Sequence, residues 1–332
     1  MNERFFDPGS AFENSVVLAI SASIILILVI SGLVVFFING RPGTDEKLKR
    51  DLVLRFRSWL ILAPLMVAPI LIGPIPTIMA VAILSLLAHR EFARATGLFR
   101  YTVTSLCVVF GILLIMFANA DNWYGLFAAS IPLSIVIIAG LNVFPDHPDG
   151  YLQRVALGML SFGLFGSAMG HLGMIANDVN YRAILLWLIF CVQINDVFAY
   201  TSGKLIGRRK LLPNTSPGKT LGGALGALVL TTIASCVMVP HIFPNSVLSQ
   251  PVHAITLGLL ISILGQLGDL VISSIKRDVG IKDMGQLFPG HGGILDRFDS
   301  LILAAPAVFH YIHYYLGIAD GQPVRIFSGA SG

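Results

Sequence analysis

Between Ser273 and Asp299 the chain reads SSIKRDVGIKDMGQLFPGHGGILDRFD, flanked on both sides by long apolar runs. Lys276, Arg277, Lys282 and Arg297 supply cations there, and Asp283, Asp296 and Asp299 supply carboxylates, with Asp269 just upstream. Carboxylate oxygens suit Mg²⁺, which usually takes one or two of them and completes its shell with water and phosphate oxygens. Guanidinium and ammonium groups can neutralise a polyphosphate. The glycines of Pro289-Gly290-His291-Gly292-Gly293 let backbone approach a ligand closely. Asp296 and Asp299, three residues apart, can share a helical face. Such parts describe phosphoryl or nucleotidyl transfer, where catalysis is chiefly positioning and charge stabilisation.

Two upstream segments add to this set. In the apolar run 252–275, Ser262, Gln266, Asp269 and Ser273 recur at spacings of 4, 3 and 4, one polar stripe on a helix that leads to Lys276 and Arg277. A carboxylate inside a membrane span costs at least ~2.5 kcal/mol when unpaired, so Asp269 should face a cation, a metal or water. A structural ion pair is the plainer alternative. The run 183–203 repeats the theme, with Asp196, Tyr200, Gly203 and Gly207 on one face.

After it comes KLIGRRKLLPNTSPGKTLGG. This is not a P-loop, because Pro213 stands where the first glycine of G-x-x-x-x-G-K-T belongs and no strand is expected before it. Ser216, Lys219, Thr220 and the start of the next helix nonetheless suit a phosphate. A solvated basic loop is the competing explanation.

The elements that must position these residues are membrane helices. The 332 residues are 55% hydrophobic and 12% charged, with a mean hydropathy of +0.80, against roughly 25% charged in soluble domains. An all-α polytopic membrane protein follows, with about ten spans at 15–38, 58–73, 74–88, 101–120, 124–144, 151–175, 183–203, 221–243, 252–275 and 300–317. The second and third, separated only by Gly73-Pro74-Ile75-Pro76, form a tight hairpin or a re-entrant pair. Alternating the spans puts 19 of the 22 basic residues on one side and leaves Arg4, Arg182 and Arg325 on the other. The positive-inside rule makes the richer side cytoplasmic.

The sequence pI of about 9.0 and net charge of +4 need no nucleic-acid partner, since basic loops facing anionic headgroups of the lipid bilayer explain them. Acidic residues precede the first apolar run and basic ones follow it, so this run reads as a retained anchor. Cys107, Cys191 and Cys236 lie in apolar runs and suggest neither a disulfide framework nor a thiolate metal site. We divide the chain into N-terminal helices (1–180), a C-terminal catalytic membrane region (181–320) and a short tail (321–332), all one integrated unit.

Ser273-x-Ile275-Lys276-Arg277, Lys282-Asp283-x-Gly285 and Phe288-Pro289-Gly290-His291-Gly292-Gly293-Ile294-x-Asp296-Arg297-Phe298-Asp299 together resemble the signature of phosphatidate cytidylyltransferases, the CDP-diacylglycerol synthases. Asp196-x-x-Ala199-Tyr200, Ser216-Pro217-x-Lys219-Thr220 and Gly265-x-x-Gly268-Asp269 are similar to further motifs of that family. The resemblance implies a bacterial inner-membrane enzyme, with its site facing the cytoplasm, that converts CTP and phosphatidic acid, or a related lipid phosphate, to CDP-diacylglycerol and pyrophosphate. It implies that Asp269 and Asp296 hold a divalent metal, Mg²⁺ foremost, beside a monovalent cation such as K⁺. Lys276, Arg277, Lys282 and Arg297 would bind phosphates. Asp283, Asp299 and Asp196 would orient them, with Tyr200, Ser216, Lys219, Thr220, Gly292 and Gly293 at the substrates. An anionic lipid phosphate needs no strong base, so His291 becomes a phosphate contact or turn former.

Homodimerisation is expected on the same ground alone. The family's usual S-P-K-K-T-x-E-G differs here at Gly218 and Gly222, which points to a paralogue with altered preference. A transporter or a catalytically silent scaffold are the alternatives from other classes.

Overall fold

The computed structural model describes residues 2–43, 45–285, 292–317 and 325–329. A short helix α1 (Asn2–Phe5) precedes α2 (Ser15–Gly40), α3 (Glu46–Ile72), α4 (Pro74–Thr96), α5 (Thr102–Ala120) and α6 (Tyr124–Leu141). Then follow α7 (Tyr151–Ser161), a π-helical stretch (Phe162–Ala168) and α8 (Met169–Ile175), which together make one continuous rod. Helix α9 (Tyr181–Ile206), the hairpin strands β1 (Lys210–Leu212) and β2 (Ser216–Thr220), α10 (Leu221–Ile242), α11 (Pro251–Asp278) and α12 (Leu295–Leu316) complete the chain.

Nine helical segments among the described residues are long and apolar enough to cross a membrane. The protein is an all-α polytopic membrane protein. The uncertain pair is settled as two long helices: α3 runs to Ile72, α4 starts at Pro74, and Gly73 alone joins them. Pro74 sits at the start of α4, where its missing N–H costs nothing. The expected tenth span lies in α12, which has the length but is diluted by Asp296, Arg297, Asp299, His310 and His313. Protein rather than lipid surrounds much of it, since Leu301, Ile302, Ala304, Ala305, Val308 and Phe309 are buried. A helix shielded in this way need not be apolar all round.

The three basic residues that the sequence sets apart gather at one end. Arg4 bonds the Asn177 side chain at 2.7 Å, Arg182 pairs with Asp7 at 3.3 Å, and the Arg325 guanidinium lies 4.7 Å from the Trp123 ring centroid.

The basic loop 208–220 is a β-hairpin rather than irregular chain, which corrects the expectation that no strand precedes the Ser216 segment. It pairs Lys210 with Thr220 and Leu212 with Ser216, antiparallel. The Thr220 hydroxyl accepts a hydrogen bond from Gly223 N at 3.1 Å, so the hairpin ends as the cap of α10. At the start of α10, glycines let that helix approach α9 closely. A Cβ on Gly223 would stand 2.5 Å from Ala199 O, and one on Gly226 would stand 2.2 Å from Ser202 Oγ.

Candidate active site

The polar stripe of α11 faces inward, as its spacing requires. Asn195 Oδ1 on α9 accepts from Ser262 Oγ at 2.7 Å and from Thr231 Oγ1 on α10 at 3.0 Å. Gln266 Nε2 donates to Ser262 Oγ at 3.2 Å. One turn further along, Asp269 accepts from Ser273 Oγ at 3.1 Å and pairs with Lys219 Nζ at 2.7 Å. Lys219 thus crosses from β2 into the helical bundle, and it also donates to Gln266 O at 3.5 Å. Neutral hydrogen bonds tie α9, α10 and α11 together deep in the bundle, and the ionised groups begin where these end.

Asp296 is the second anchor. Its Oδ1 pairs with Lys276 Nζ at 2.8 Å, and its Oδ2 accepts from Met284 N and Gly293 N, each at 2.9 Å. Asp296 and Lys276 are 7% and 9% exposed, so the pair is formed away from water, where only such full satisfaction makes ionised groups tolerable. Gly292 sits against this carboxylate in the left-handed region, φ 80°, where a Cβ would come within 2.6 Å of Asp296 Oδ2. Only glycine fits both demands.

Asp196, Asp269 and Asp299 lie within electrostatic range of one another, with Lys219, Lys276 and Arg297 interspersed. Helices α9, α11 and α12 each contribute one carboxylate to this cluster, and Gly268 lets α11 and α12 close on it, since a Cβ there would stand 2.4 Å from Asp299 O. Among the described residues, Arg297 Nε is buried with no hydrogen-bond partner. A buried donor without an acceptor is costly, and a phosphate oxygen would relieve it.

The remaining expected site residues are distributed as follows. Arg277 is exposed and bridges the hairpin to the turn after α11, donating to Thr215 O and Ile281 O, each at 3.3 Å. Lys282 and Asp283 are exposed beside it. Ser216 opens β2 and is half-buried. Tyr200 is 67% exposed, with Lys204 Nζ 5.6 Å from its ring centroid, so it stands outside the carboxylate cluster. His291 lies outside the described residues.

Glu91 on α4 is a residue that sequence reasoning missed. Its Oε1 accepts from Ile294 N at 3.0 Å and its Oε2 from Leu295 N at 2.9 Å, at the start of α12. The only hint in the sequence is a lone acid among Arg90, Arg94 and Arg100 at the end of an apolar run.

Helix α12 has a second face. Ile294, Phe298 and Leu301, spaced by 4 and 3, line an apolar groove of about 500 Å³ with Met66 of α3, Leu84 of α4 and Ile189 of α9. Charged and apolar surfaces thus stand on two sides of one helix. Among the described residues no three His, Cys, Asp or Glu side chains form a ready metal cage.

The model of the Cytidylyltransferase family matches residues 53–315. The chain is 34% identical over 300 residues to the uncharacterized protein YnbB of Escherichia coli (strain K12), covering 88% of this chain and 97% of that protein. It is 31% identical over 250 residues to the phosphatidate cytidylyltransferase of Staphylococcus haemolyticus (strain JCSC1435), covering 74% and 94%. The same identity, over 252 residues and with the same coverage, relates it to the phosphatidate cytidylyltransferase of Staphylococcus aureus (strain COL).

Proposed function

This chain belongs to the cytidylyltransferase family, and on that premise we propose that it joins CTP to a membrane lipid phosphate, phosphatidic acid or a close relative, releasing pyrophosphate. An oxygen of the lipid phosphate attacks the α-phosphorus of CTP, a new P–O–P linkage forms, and the bond to the β-phosphate breaks with its electron pair leaving on pyrophosphate. The nucleophile is already anionic, so the chain's task is to hold two anions together and to balance the charge that develops on the leaving group.

The observation that carries this reading is the convergence of Lys219, Lys276 and Arg297 on Asp196, Asp269 and Asp299 beside an apolar groove. The cations receive phosphates, Arg297 Nε, buried and without a partner among the described residues, supplies a donor already stripped of water, and the groove takes acyl chain. Arg277 and Lys282, exposed at the rim, attract the incoming triphosphate. The start of α10, capped by Thr220, turns its positive end toward the same region.

The residues fit a divalent cation. A carboxylate offers about four lone-pair positions. Asp269 spends two, on Lys219 and Ser273, and Asp296 spends three, on Lys276, Met284 N and Gly293 N. Both lie near Lys276, and both keep room for one more bond. Asp269 and Asp296 would hold Mg²⁺, matching the one or two protein carboxylates that this ion usually takes. Bound there, it would polarise the phosphate oxygens and neutralise part of the triphosphate charge. The charge distribution of the loops supports a site that faces the cytoplasm of a bacterial inner membrane, where CTP is found.

The test is purified protein in lipid nanodiscs with CTP, Mg²⁺ and a panel of lipid phosphates. Pyrophosphate release matched by a CDP-lipid in the mass spectrum is expected. Protein shown to be folded that turns over no member of the panel would refute the proposal.

A further inference from the structure

Helix α12 carries Asp296, Arg297 and Asp299, yet it has no capping side chain of its own: its first residue is Leu295 and the residue before it is Ile294. The amides at a helix start need acceptors from elsewhere. Here they come from α4, about two hundred residues away in sequence, because Glu91 takes Ile294 N and Leu295 N, one on each carboxylate oxygen. Four ion pairs occur among the described residues and none of them involves Glu91. Its charge is committed to backbone amides.

The chain around it is shaped for that carboxylate. A Cβ on Gly285 would lie 2.4 Å from Glu91 Oε1, and one on Gly293 would lie 2.4 Å from Glu91 Oε2. Neither glycine has a positive φ, so space rather than backbone freedom requires them. Gly293 also donates its N–H to Asp296 Oδ2, as Met284 does. Asp296 therefore holds Met284 and Gly293, on both flanks of this stretch, while Glu91 holds Ile294 and Leu295 and packs against Gly285. Asp296 in turn holds Lys276.

We propose that Glu91 is a positioning residue for the transfer reaction: it seats the start of α12 and so fixes where Asp296, Arg297 and Asp299 meet the phosphates. The proposal rests on the function proposed above for those three groups. It assigns a chemical task to a residue of the N-terminal half, in a helix that supplies none of the expected phosphate or metal contacts. Without the clamp, α12 still forms, because its buried apolar face is untouched, but its first turn is no longer held in register with Lys276.

Three variants separate this role from general loosening of α4. Glu91→Gln keeps size but offers an acceptor to only one of the two amides. Glu91→Asp keeps charge with a shorter reach. His89→Ala is the control, because it removes the α4 contacts to Ser161 and Ser105, at 2.8 Å and 2.9 Å, without touching the clamp. Hydrogen exchange of peptides covering 292–297 and pyrophosphate release are both measured on full-length protein in nanodiscs.

Glu91→Gln should speed exchange at 292–297 and lower kcat about 100-fold, the scale on which small misplacement acts, while KM for CTP moves far less. Glu91→Asp should fall between it and the wild type. His89→Ala should do neither. Unchanged exchange at 292–297 in Glu91→Gln, an unchanged kcat, or equal effects from His89→Ala would each overturn the proposal. If the wild type releases no pyrophosphate, the proposed reaction fails, and the exchange data alone then decide whether the clamp exists.

Discussion

Lys276 Nζ lies 2.8 Å from Asp296 Oδ1, and this enclosed ion pair joins the end of α11 to the start of α12. The two helices bring the charges of the site together, and the pair fixes their separation. Removing one member of an enclosed pair strands the other, at about 3–5 kcal/mol, whereas replacing both by apolar groups of similar size is often neutral.

Asp296→Asn should therefore abolish pyrophosphate release and also lower thermal stability. The pair Lys276→Met with Asp296→Leu should regain most of the stability and none of the turnover. Unfolding in detergent and a pyrophosphate assay on the same samples separate the two effects. Turnover near the wild-type level in Asp296→Asn would remove Asp296 from the metal assignment.

Lys219 should matter through position as well as charge. It reaches Asp269 from a hairpin, at 2.7 Å, and its compact ammonium is not equivalent to a planar guanidinium. We expect Lys219→Ala to lower kcat/KM for CTP by at least ~10-fold, and Lys219→Arg to restore it only in part, consistent with about 1.5–3 kcal/mol for a hydrogen bond to a charged group. Initial rates over a CTP titration check this.

The two departures from the family loop differ physically. A Cβ at Gly218 meets nothing within 4 Å, while one at Gly222 would stand 2.9 Å from Ile206 O and 3.1 Å from Gly207 Cα. Gly218→Lys should be tolerated within about 0.5 kcal/mol, as most surface changes are, and should raise affinity for CTP. Gly222→Glu should cost about 1–3 kcal/mol by overpacking. Thermal unfolding of both variants tests the contrast, and equal stabilities would refute it.

At the opposite end, Asp121 fastens the C-terminal residues 325–329, accepting from Phe327 N at 2.6 Å, from Ser328 N at 3.1 Å and from the Ser328 hydroxyl. Burial alone would raise its pKa, but these hydrogen bonds outweigh it and hold the carboxyl below its usual value. A pKa depressed in the folded state favours attachment above the unfolded value of about 3.9. That advantage disappears as pH falls through the folded value, so the tail should stay docked at neutral pH and release only in stronger acid. Asp121→Asn should release it at neutral pH. Faster tryptic cleavage after Arg325 in that variant is the expected readout.

Much of the site was legible because membrane helices tolerate so few polar groups. The stripe Ser262, Gln266, Asp269 and Ser273 gave both the helix face and its inward direction, and the structure buries three of the four. The spans followed from hydropathy, except that α12 is too polar to count by that measure and holds its place by packing. What escaped was whatever depended on a distant partner. Thr231 looks like an ordinary helix residue until Asn195 joins it. Glu91 sits in HREFARA, a stretch whose arginines read as a membrane-flanking loop. The hairpin escaped for another reason, since KLLPNTSPGKT has Pro213 and Pro217 where strand signals would have been sought.

The backbone contact between α9 and α10 has a mechanical consequence. Helices separated by flexible side chains can slide as those side chains change rotamer, but Gly222, Gly223 and Gly226 leave no such slack. The two helices and the hairpin between them must therefore move as one stiff body that carries Asp196 and Lys219 at fixed spacing. Widening of the site to admit a bulky lipid headgroup then falls to the other wall, formed by α11 and α12 and held by Asp296 through Lys276, Met284 N and Gly293 N.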